Sequence, residues 1–473
     1  MKHFDIAVLG AGPGGYIAAL KAGQMGASVA VVEKGHLGGT CLNNGCIPSK
    51  ALLAPAELMH RISQGRSLGV SVDGDVSFDW SAIQKRKDKV LKNLRGGIAG
   101  LFKARRVELF TGLAKIDSPG KVAVTDGGPA ELFSADKIIV ATGSAPIRID
   151  AWPGDPNLVC TSDEALHWPA LPKRLLIVGG GVIGCEFACM MHQYGVAVTV
   201  VEMLPTLLPG MEDELGLTLA KDFRRRGMAI HVGTKVESIV ASDGGAVVTI
   251  AEAGQAAQTL EVDKVLVSIG RRPVTDEIGL ENVGITTDRG FVTVGDDMRT
   301  SAADVYCIGD ANGRCLLAHA ASAQGVVAVE NALGHCRVYD SPVPGAVYTF
   351  PEIGAVGLTT SQARQRGLPI SIGVFPIGHL GKAMAVGHGE GFVKVVRHRE
   401  TDELLGVHML GHNATECIAA AGCMLHTRAS TSDLAEAIFA HPTISEAIKE
   451  SAEDALGMAL HLPPRKVHKI TVE

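Results

Sequence analysis

The stretch Asp5-Ile6-Ala7-Val8-Leu9-Gly10-Ala11-Gly12-Pro13-Gly14-Gly15 decides how this chain is read. An apolar run ends in a glycine turn, a helical pattern follows over 16–26, and Ser28-Val29-Ala30-Val31-Val32-Glu33 makes a second apolar run that ends in an acid. In a strand–turn–helix–strand unit, Gly10 permits the tight turn, Gly12 lets backbone approach a pyrophosphate, and Gly15 lets the helix pack closely on the strand. Glu33 stands where a carboxylate accepts hydrogen bonds from ribose hydroxyls. One such motif is a weak signal, but it returns at Leu175-Leu176-Ile177-Val178-Gly179-Gly180-Gly181-Val182-Ile183-Gly184, followed by Val198-Thr199-Val200-Val201-Glu202. In both copies the acid lies 23 positions after the first glycine. Two dinucleotide sites are implied, with Gly179, Gly181 and Gly184 repeating the roles of Gly10, Gly12 and Gly15. Glu202 favours a free 2′-hydroxyl and repels a 2′-phosphate, so the second site is expected to take NAD rather than NADP.

Between the two units stands Gly38-Gly39-Thr40-Cys41-Leu42-Asn43-Asn44-Gly45-Cys46-Ile47-Pro48-Ser49-Lys50. Two cysteines five positions apart in a glycine-rich turn are able to close a small, exposed disulfide. A ring this tight gains little chain-entropy stabilisation and is easily reduced, which suits it to carrying two electrons. Pro48 fits the first turn of a helix read over 48–59, placing Cys46 at a helix N-terminus where the dipole and unpaired amides favour a thiolate. Two ordinary buried cysteines fit the spacing equally well.

The rest of the composition narrows the class. A length of 473 residues suggests about three domains, and 46% hydrophobic with 20% charged residues supplies ample core material. The net charge of −6 is well mixed, and the short basic clusters 85–89 and 224–226 read as solvated helix faces, so no nucleic-acid footprint is expected. No apolar run reaches the roughly twenty residues of a membrane span. Met1 leads almost directly into the first strand, leaving no room for a signal peptide, and ten scattered cysteines suit free thiols; a cytoplasmic address is expected.

Downstream, Ile138-Ile139-Val140-Ala141-Thr142-Gly143-Ser144 and Val265-Leu266-Val267-Ser268-Ile269-Gly270-Arg271-Arg272-Pro273 are buried-strand patterns ending in glycine turns. Val305-Tyr306-Cys307-Ile308-Gly309-Asp310 ends with an acid placed to bond a cofactor hydroxyl. From Tyr348 the pattern changes to alternating strands followed by helices, marking a separate final domain. There His441-Pro442-Thr443-Ile444-Ser445-Glu446 opens a helix read over 445–460. Thr443 and Glu446 fit a capping box; His441 with an orienting acid fits a general acid/base equally well. His412, Cys417 and Cys423 match no compact zinc spacing, Cys185 and Cys189 suit a helix core, and no metal site is expected.

In order and spacing, over nearly the whole chain, these segments resemble the flavin-linked (class I pyridine nucleotide) disulfide oxidoreductases, most closely the dihydrolipoamide dehydrogenases. The resemblance implies an α/β fold: two Rossmann-like dinucleotide-binding domains plus a C-terminal α+β dimerisation domain. The implied boundaries are an FAD domain over 1–150, an inserted NAD domain over 151–278, a central domain completing the FAD site over 279–346, and an interface domain over 347–473. It implies one tightly bound FAD per subunit, NAD+/NADH exchange, and a homodimer with shared active sites. By resemblance Cys41 exchanges with substrate sulfur, Cys46 lies against the flavin, and His441 of the partner subunit takes the substrate thiol proton while Glu446 orients it. Lys50 and Glu186 pair near the reactive flavin nitrogen, and Ile183 marks the nicotinamide entrance. Gly12, Glu33, Gly143, Asp310 and Ala318 line the FAD site; Gly179, Gly181, Gly184, Glu202 and Gly270 line the NAD site. The implied activity is oxidation of protein-bound dihydrolipoamide with reduction of NAD+. Its implied partners are the lipoyl domains of 2-oxo acid dehydrogenase complexes or the glycine cleavage H protein. Glutathione- or mercuric-reductase-like chemistry and a non-catalytic dinucleotide-binding subunit are the competing readings; Glu202 opposes NADPH, and 466–473 lacks the cysteine pair of a mercuric reductase. Asn44 and Ala320 depart from the valine and lysine more usual in the family.

Overall fold

In the computed structural model, which describes residues 1–463, strand Lys2–Leu9 lies near the middle of a seven-stranded sheet. Residues 466–473, cited above against a terminal cysteine pair, lie outside the described residues. The sheet order is Glu108–Thr111, Val29–Glu33, Lys2–Leu9, Glu131–Val140, Lys121–Thr125, Leu113–Ser118, with Val305–Cys307 also pairing with Glu131–Val140. Lys2–Leu9 and its neighbours are parallel, and Ile6, Ala7, Val8 and Leu9 have no exposed surface, as strands covered on both faces require. Register brings Leu9 level with Val32 and Val140, and Val140 level with Cys307. Gly10, Glu33, Ala141-Thr142-Gly143 and Gly309-Asp310 therefore all leave the sheet at one carboxyl edge, the edge at which open α/β sheets bind ligands.

The second unit repeats the plan. Five parallel strands run in the order Ala229–His231, Ala197–Val201, Arg174–Val178, Lys264–Val267, Val159–Thr161. Val178 is level with Val201 and Val267, so Gly179, Glu202 and Ser268-Ile269-Gly270 emerge together. A short antiparallel pair, Ser144–Pro146 with Arg271–Pro273, ties the exits of the two units to each other. The C-terminal part is a five-stranded antiparallel sheet, Gly345–Val347, Glu352–Gly357, Leu404–Gly411, Gly391–His398, Ile370–Pro376, packed by helices Ala414–His426 and Glu446–Leu456. The fold is thus α/β with two nucleotide-type sheets and a separate terminal α+β sheet.

Several helix ends differ from the sequence reading for identifiable reasons. The first helix starts at Pro13 instead of 16, because a helix's first amides have no carbonyl partner and proline loses nothing there. The helix expected over 48–59 spans Cys46–Gln64, with Cys46 itself its first residue. It runs through Pro55, whose missing N–H frees the Ala51 carbonyl; Arg86 Nη1 donates to that carbonyl at 3.1 Å. The helix expected over 445–460 is Glu446–Leu456, stopped by Gly457 at φ +76°. Helix Ala318–Ala332 lies across Pro13–Gln24 at close quarters: a Cβ on Gly325 would stand 2.7 Å from Gly14 O, and one on Gly14 3.0 Å from Ala321 O. That contact fixes Ala318 above the first glycine turn.

Candidate active site

A continuous cleft of about 1870 Å³ joins the carboxyl edges of both parallel sheets and the turn of the cysteines. In each unit the glycines have separable duties. A Cβ on Gly10 would stand 2.5 Å from Ala141 O and one on Gly179 2.4 Å from Ser268 O, both at φ near +105°, where only glycine is unstrained. A Cβ on Gly15 or Gly184 would stand 2.0 Å from the carbonyl of Gly10 or Gly179. Gly12 and Gly181 are different: the nearest atom to a Cβ is 3.9 Å away at Gly12, and none lies within 4 Å at Gly181. Both line the cleft, so their open side faces the space a ligand would enter.

The acids serve their own turns. Glu33 accepts from the amides of Ala11 (2.7 Å) and Gly35 (2.8 Å), and Glu202 from those of Gly180 (2.6 Å) and Leu204 (2.8 Å). A carboxylate has about four acceptor sites, so two remain on each for a ribose. Asp310 accepts from Ser144 Oγ at 2.5 Å, and Ser144 is in turn held by Arg271 through Nε at 2.7 Å. Gly143 (φ +74°), Ala318, Ile183 and Gly270 (φ +125°) also line the cleft. So does Thr142, whose buried hydroxyl finds no partner among the described residues. Glycine-walled cradles, free carboxylate lone pairs and an orphan hydroxyl fit a bound dinucleotide.

The cysteine turn is docked on the first glycine turn. Gly38 N donates to Ala11 O at 2.8 Å, and a Cβ on Gly39 would fall 2.5 Å from Gly12 Cα. Cys41 lies in the short helix Gly39–Asn44 and Cys46 begins the next one; both are free thiols facing the cleft. The Cys41 and Cys46 thiols act on each other's acidity. The neighbouring Cys41 thiol, aided by the Lys50 charge against the cost of desolvation, lowers Cys46 to about 7, while Cys46 and its own desolvation push Cys41 up. One turn after Cys46, Lys50 Nζ lies 2.8 and 2.7 Å from the two oxygens of Glu186, which is only 5% exposed. Glu186 also accepts from Tyr348 N at 3.0 Å, and the Tyr348 ring lies 4.3 Å from Lys50 Nζ. The first unit, the second unit and the terminal sheet meet at this point.

His441 is not brought to this cleft within the chain. Its side chain is 78% exposed, with Nδ1 2.8 Å from Glu446 Oε1. Glu446 Oε2 accepts from Thr443 N at 2.8 Å. Despite partial burial, those bonds hold the Glu446 carboxyl below its ordinary range. Only half of the capping box exists, since Thr443 Oγ1 donates back to Ala440 O at 2.8 Å. Cys185 and Cys189 are fully buried, and Cys417 Sγ receives the Ser445 hydroxyl at 3.4 Å. Sequence reasoning missed Tyr348, which carries no motif, and read Arg271 only as part of a strand ending in a glycine turn.

Residues 4–325 match the pyridine nucleotide-disulphide oxidoreductase family, and residues 343–452 match that family's dimerisation domain. The chain belongs to the pyridine nucleotide-disulphide oxidoreductases. Within them it is 41% identical over 465 residues to the dihydrolipoyl dehydrogenase of Thermus scotoductus, covering 98% of this chain and 99% of that one. To the dihydrolipoyl dehydrogenase of Bacillus subtilis it is 39% identical over 471 residues, covering 97% and 99%. The crystal structure of LpdA from Mycobacterium tuberculosis superposes with a TM-score of 0.87 at 28% identity, covering 96% of this chain and 99% of that one. No helix among the described residues is long and apolar enough to cross a membrane.

Proposed function

We infer that this chain oxidises dihydrolipoamide to lipoamide and reduces NAD+ to NADH, using Cys41 and Cys46 as the electron-carrying pair. The observation that supports this best is the pair itself: two free thiols, one of them acidic, just before the Lys50–Glu186 bridge, in the cleft that joins both glycine turns. Full-length likeness to dihydrolipoyl dehydrogenases points to lipoamide as the sulfur substrate. Buried Glu202 favours NAD(H) over its 2′-phosphorylated form.

In this reading residues 1–150 hold FAD, with Gly10, Gly12, Gly15, Glu33, Lys50, Gly143, Asp310 and Ala318 around it, and residues 279–346 complete that site. Residues 151–278 hold NAD through Gly179, Gly181, Ile183, Gly184, Glu202 and Gly270. The flavin supplies the passage of an electron pair from sulfur to the nicotinamide. The chain's own chemistry begins with a Cys41–Cys46 disulfide. A substrate thiolate attacks Cys41, the Cys41–Cys46 bond breaks, and Cys46 leaves as a thiolate. The second substrate sulfur then attacks the first, closing lipoamide and releasing Cys41, so that two electrons rest on the protein pair. The low Cys46 pKa makes it the better leaving group. Lys50, bridged to Glu186, places a positive charge beside that thiolate.

The thiol proton goes to His441 of the partner subunit, whose Nδ1 is held by Glu446 Oε1 as it is in this chain. This requires a homodimer built on residues 347–473, in keeping with the dimerisation-domain match. Lipoyl domains of 2-oxo acid dehydrogenase complexes or the glycine cleavage H protein present the substrate. The remaining eight cysteines are unbridged, which suits a cytoplasmic address. The test is turnover: dihydrolipoamide with NAD+ supports rapid NADH formation by the purified protein. Efficient reduction of glutathione disulfide by NADPH, without activity on lipoamide, overturns the substrate.

A further inference from the structure

A hydrogen-bonded chain that none of these roles uses runs from a buried lysine to the cysteine loop. Lys87, on helix Trp80–Ala104, is 1% exposed. Its Nζ lies 2.6 Å from Gln84 Oε1, 3.0 Å from Leu166 O and 3.0 Å from His167 Nδ1, with the Asp88 carboxylate at 3.2 Å. An ammonium has three donors and no acceptor, which matches Gln84, Leu166 and His167 as its three hydrogen-bond partners, with the Asp88 carboxylate as counter-charge. His167 Nδ1 must then accept, so the ring is neutral and carries its proton on Nε2. Burial first, and the Lys87 charge second, push the His167 pKa down, in agreement with that form.

His167 Nε2 stands 3.4 Å from Asn44 Oδ1, so its N–H donates to the amide oxygen. Asn44 ends the helix Gly39–Asn44 between the two cysteines. Its neighbour Asn43 is held by the same long helix, with Arg95 Nε donating to Asn43 Oδ1 at 2.5 Å. Lys87 and Arg95 stand about two helical turns apart. One helix thus grips the loop at two points, directly through Asn43 and through His167 at Asn44.

We propose that His167 is a positioning residue for the Cys41–Cys46 loop: locked in one tautomer by Lys87, it holds Asn44 and thereby the approach of one sulfur to the other. The proposal rests on the reading of this pair as the redox centre. His167 touches no reacting atom. Releasing Asn44 frees the loop that holds Cys41 close to Cys46, and with it the influence that keeps Cys46 acidic, so the Cys46 midpoint rises and less thiolate is present near neutrality. One hydrogen bond of this kind corresponds to about a three- to tenfold effect.

The experiment follows, as a function of pH, the long-wavelength absorbance that the Cys46 thiolate gives against the flavin in the dithionite-reduced holoenzyme, in His167→Ala, Asn44→Val, the double variant and His167→Gln. Each single variant is expected to raise the midpoint, by a factor of about three to ten in the acid constant, and the double variant to do no more than either. His167→Gln restores wild-type behaviour, since Gln accepts from Lys87 through its oxygen and donates to Asn44 through its nitrogen. Effects that multiply in the double variant, a His167→Ala profile matching wild type, or a Gln variant behaving like Ala overturn the proposal. The titration needs neither lipoamide nor NAD+, so this failure is distinct from failure of the substrate assignment.

Discussion

Replacing Gly181 by alanine separates the fold from nucleotide binding more cleanly than any other single change. Gly181 has φ −71°, which alanine adopts freely, and no heavy atom lies within 4 Å of the added Cβ. In the ligand-free protein the substitution stiffens only the unfolded chain, so it stabilises by about 0.4–1 kcal/mol. The methyl points into the cleft where a pyrophosphate approaches the turn. Overpacking a tight contact costs about 1–3 kcal/mol, which is about five- to 150-fold in Kd. Gly184→Ala gives the opposite pattern. Its Cβ would lie 2.0 Å from Gly179 O, well inside van der Waals contact, so the second unit itself is destabilised. The assay pairs thermal unfolding with NADH titration by fluorescence. Gly181→Ala should melt no lower than wild type and bind NADH weakly; Gly184→Ala should melt lower. Wild-type NADH affinity in Gly181→Ala refutes the assignment of that turn to the pyrophosphate.

Further outcomes follow from the same geometry. In the reduced enzyme, the long-wavelength absorbance of the Cys46 thiolate against the flavin should fall as pH drops through about 7, because the thiolate is lost below its pKa. Lys50→Met removes a charge that lowers this pKa, so the midpoint should move up; a midpoint that stays put or moves down contradicts the role given to Lys50. Lys50→Met also leaves Glu186, 5% exposed, with only the Tyr348 amide, and should destabilise by about 3 kcal/mol, measured by denaturant unfolding. His441→Gln should slow dihydrolipoamide oxidation about 10²–10⁴-fold while NADH affinity is unchanged. Unchanged turnover would reduce His441 to a place at a helix entry.

The parts of the molecule legible in sequence are those whose interactions are local. The two glycine turns, and the acids that hydrogen-bond back to them, are specified within one strand–helix–strand unit each. Their near-identical Cβ obstructions at Gly10 and Gly179 show the same backbone solution reached twice. Helix ends were less legible because single residues decide them: Gly457 stops one helix early, and Arg86 rescues another at Pro55 from a distant helix. The contacts that assemble the centre are long-range. Lys50 and Glu186 are 136 positions apart, Glu186 and Tyr348 are 162, and His167 and Asn44 are 123, so no local pattern announces them. His441 shows the limit in another way: its motif is plain, but its exposed side chain does not line the cleft of its own chain.

The central claim is that electrons from dihydrolipoamide reach NAD+ only through the Cys41–Cys46 pair. The direct measurement is NADH formation from dihydrolipoamide and NAD+ by wild type and Cys46→Ser, each carrying its bound flavin. Turnover by wild type, and its abolition in Cys46→Ser with flavin content unchanged, is the predicted result. Turnover by Cys46→Ser at the wild-type rate would contradict it.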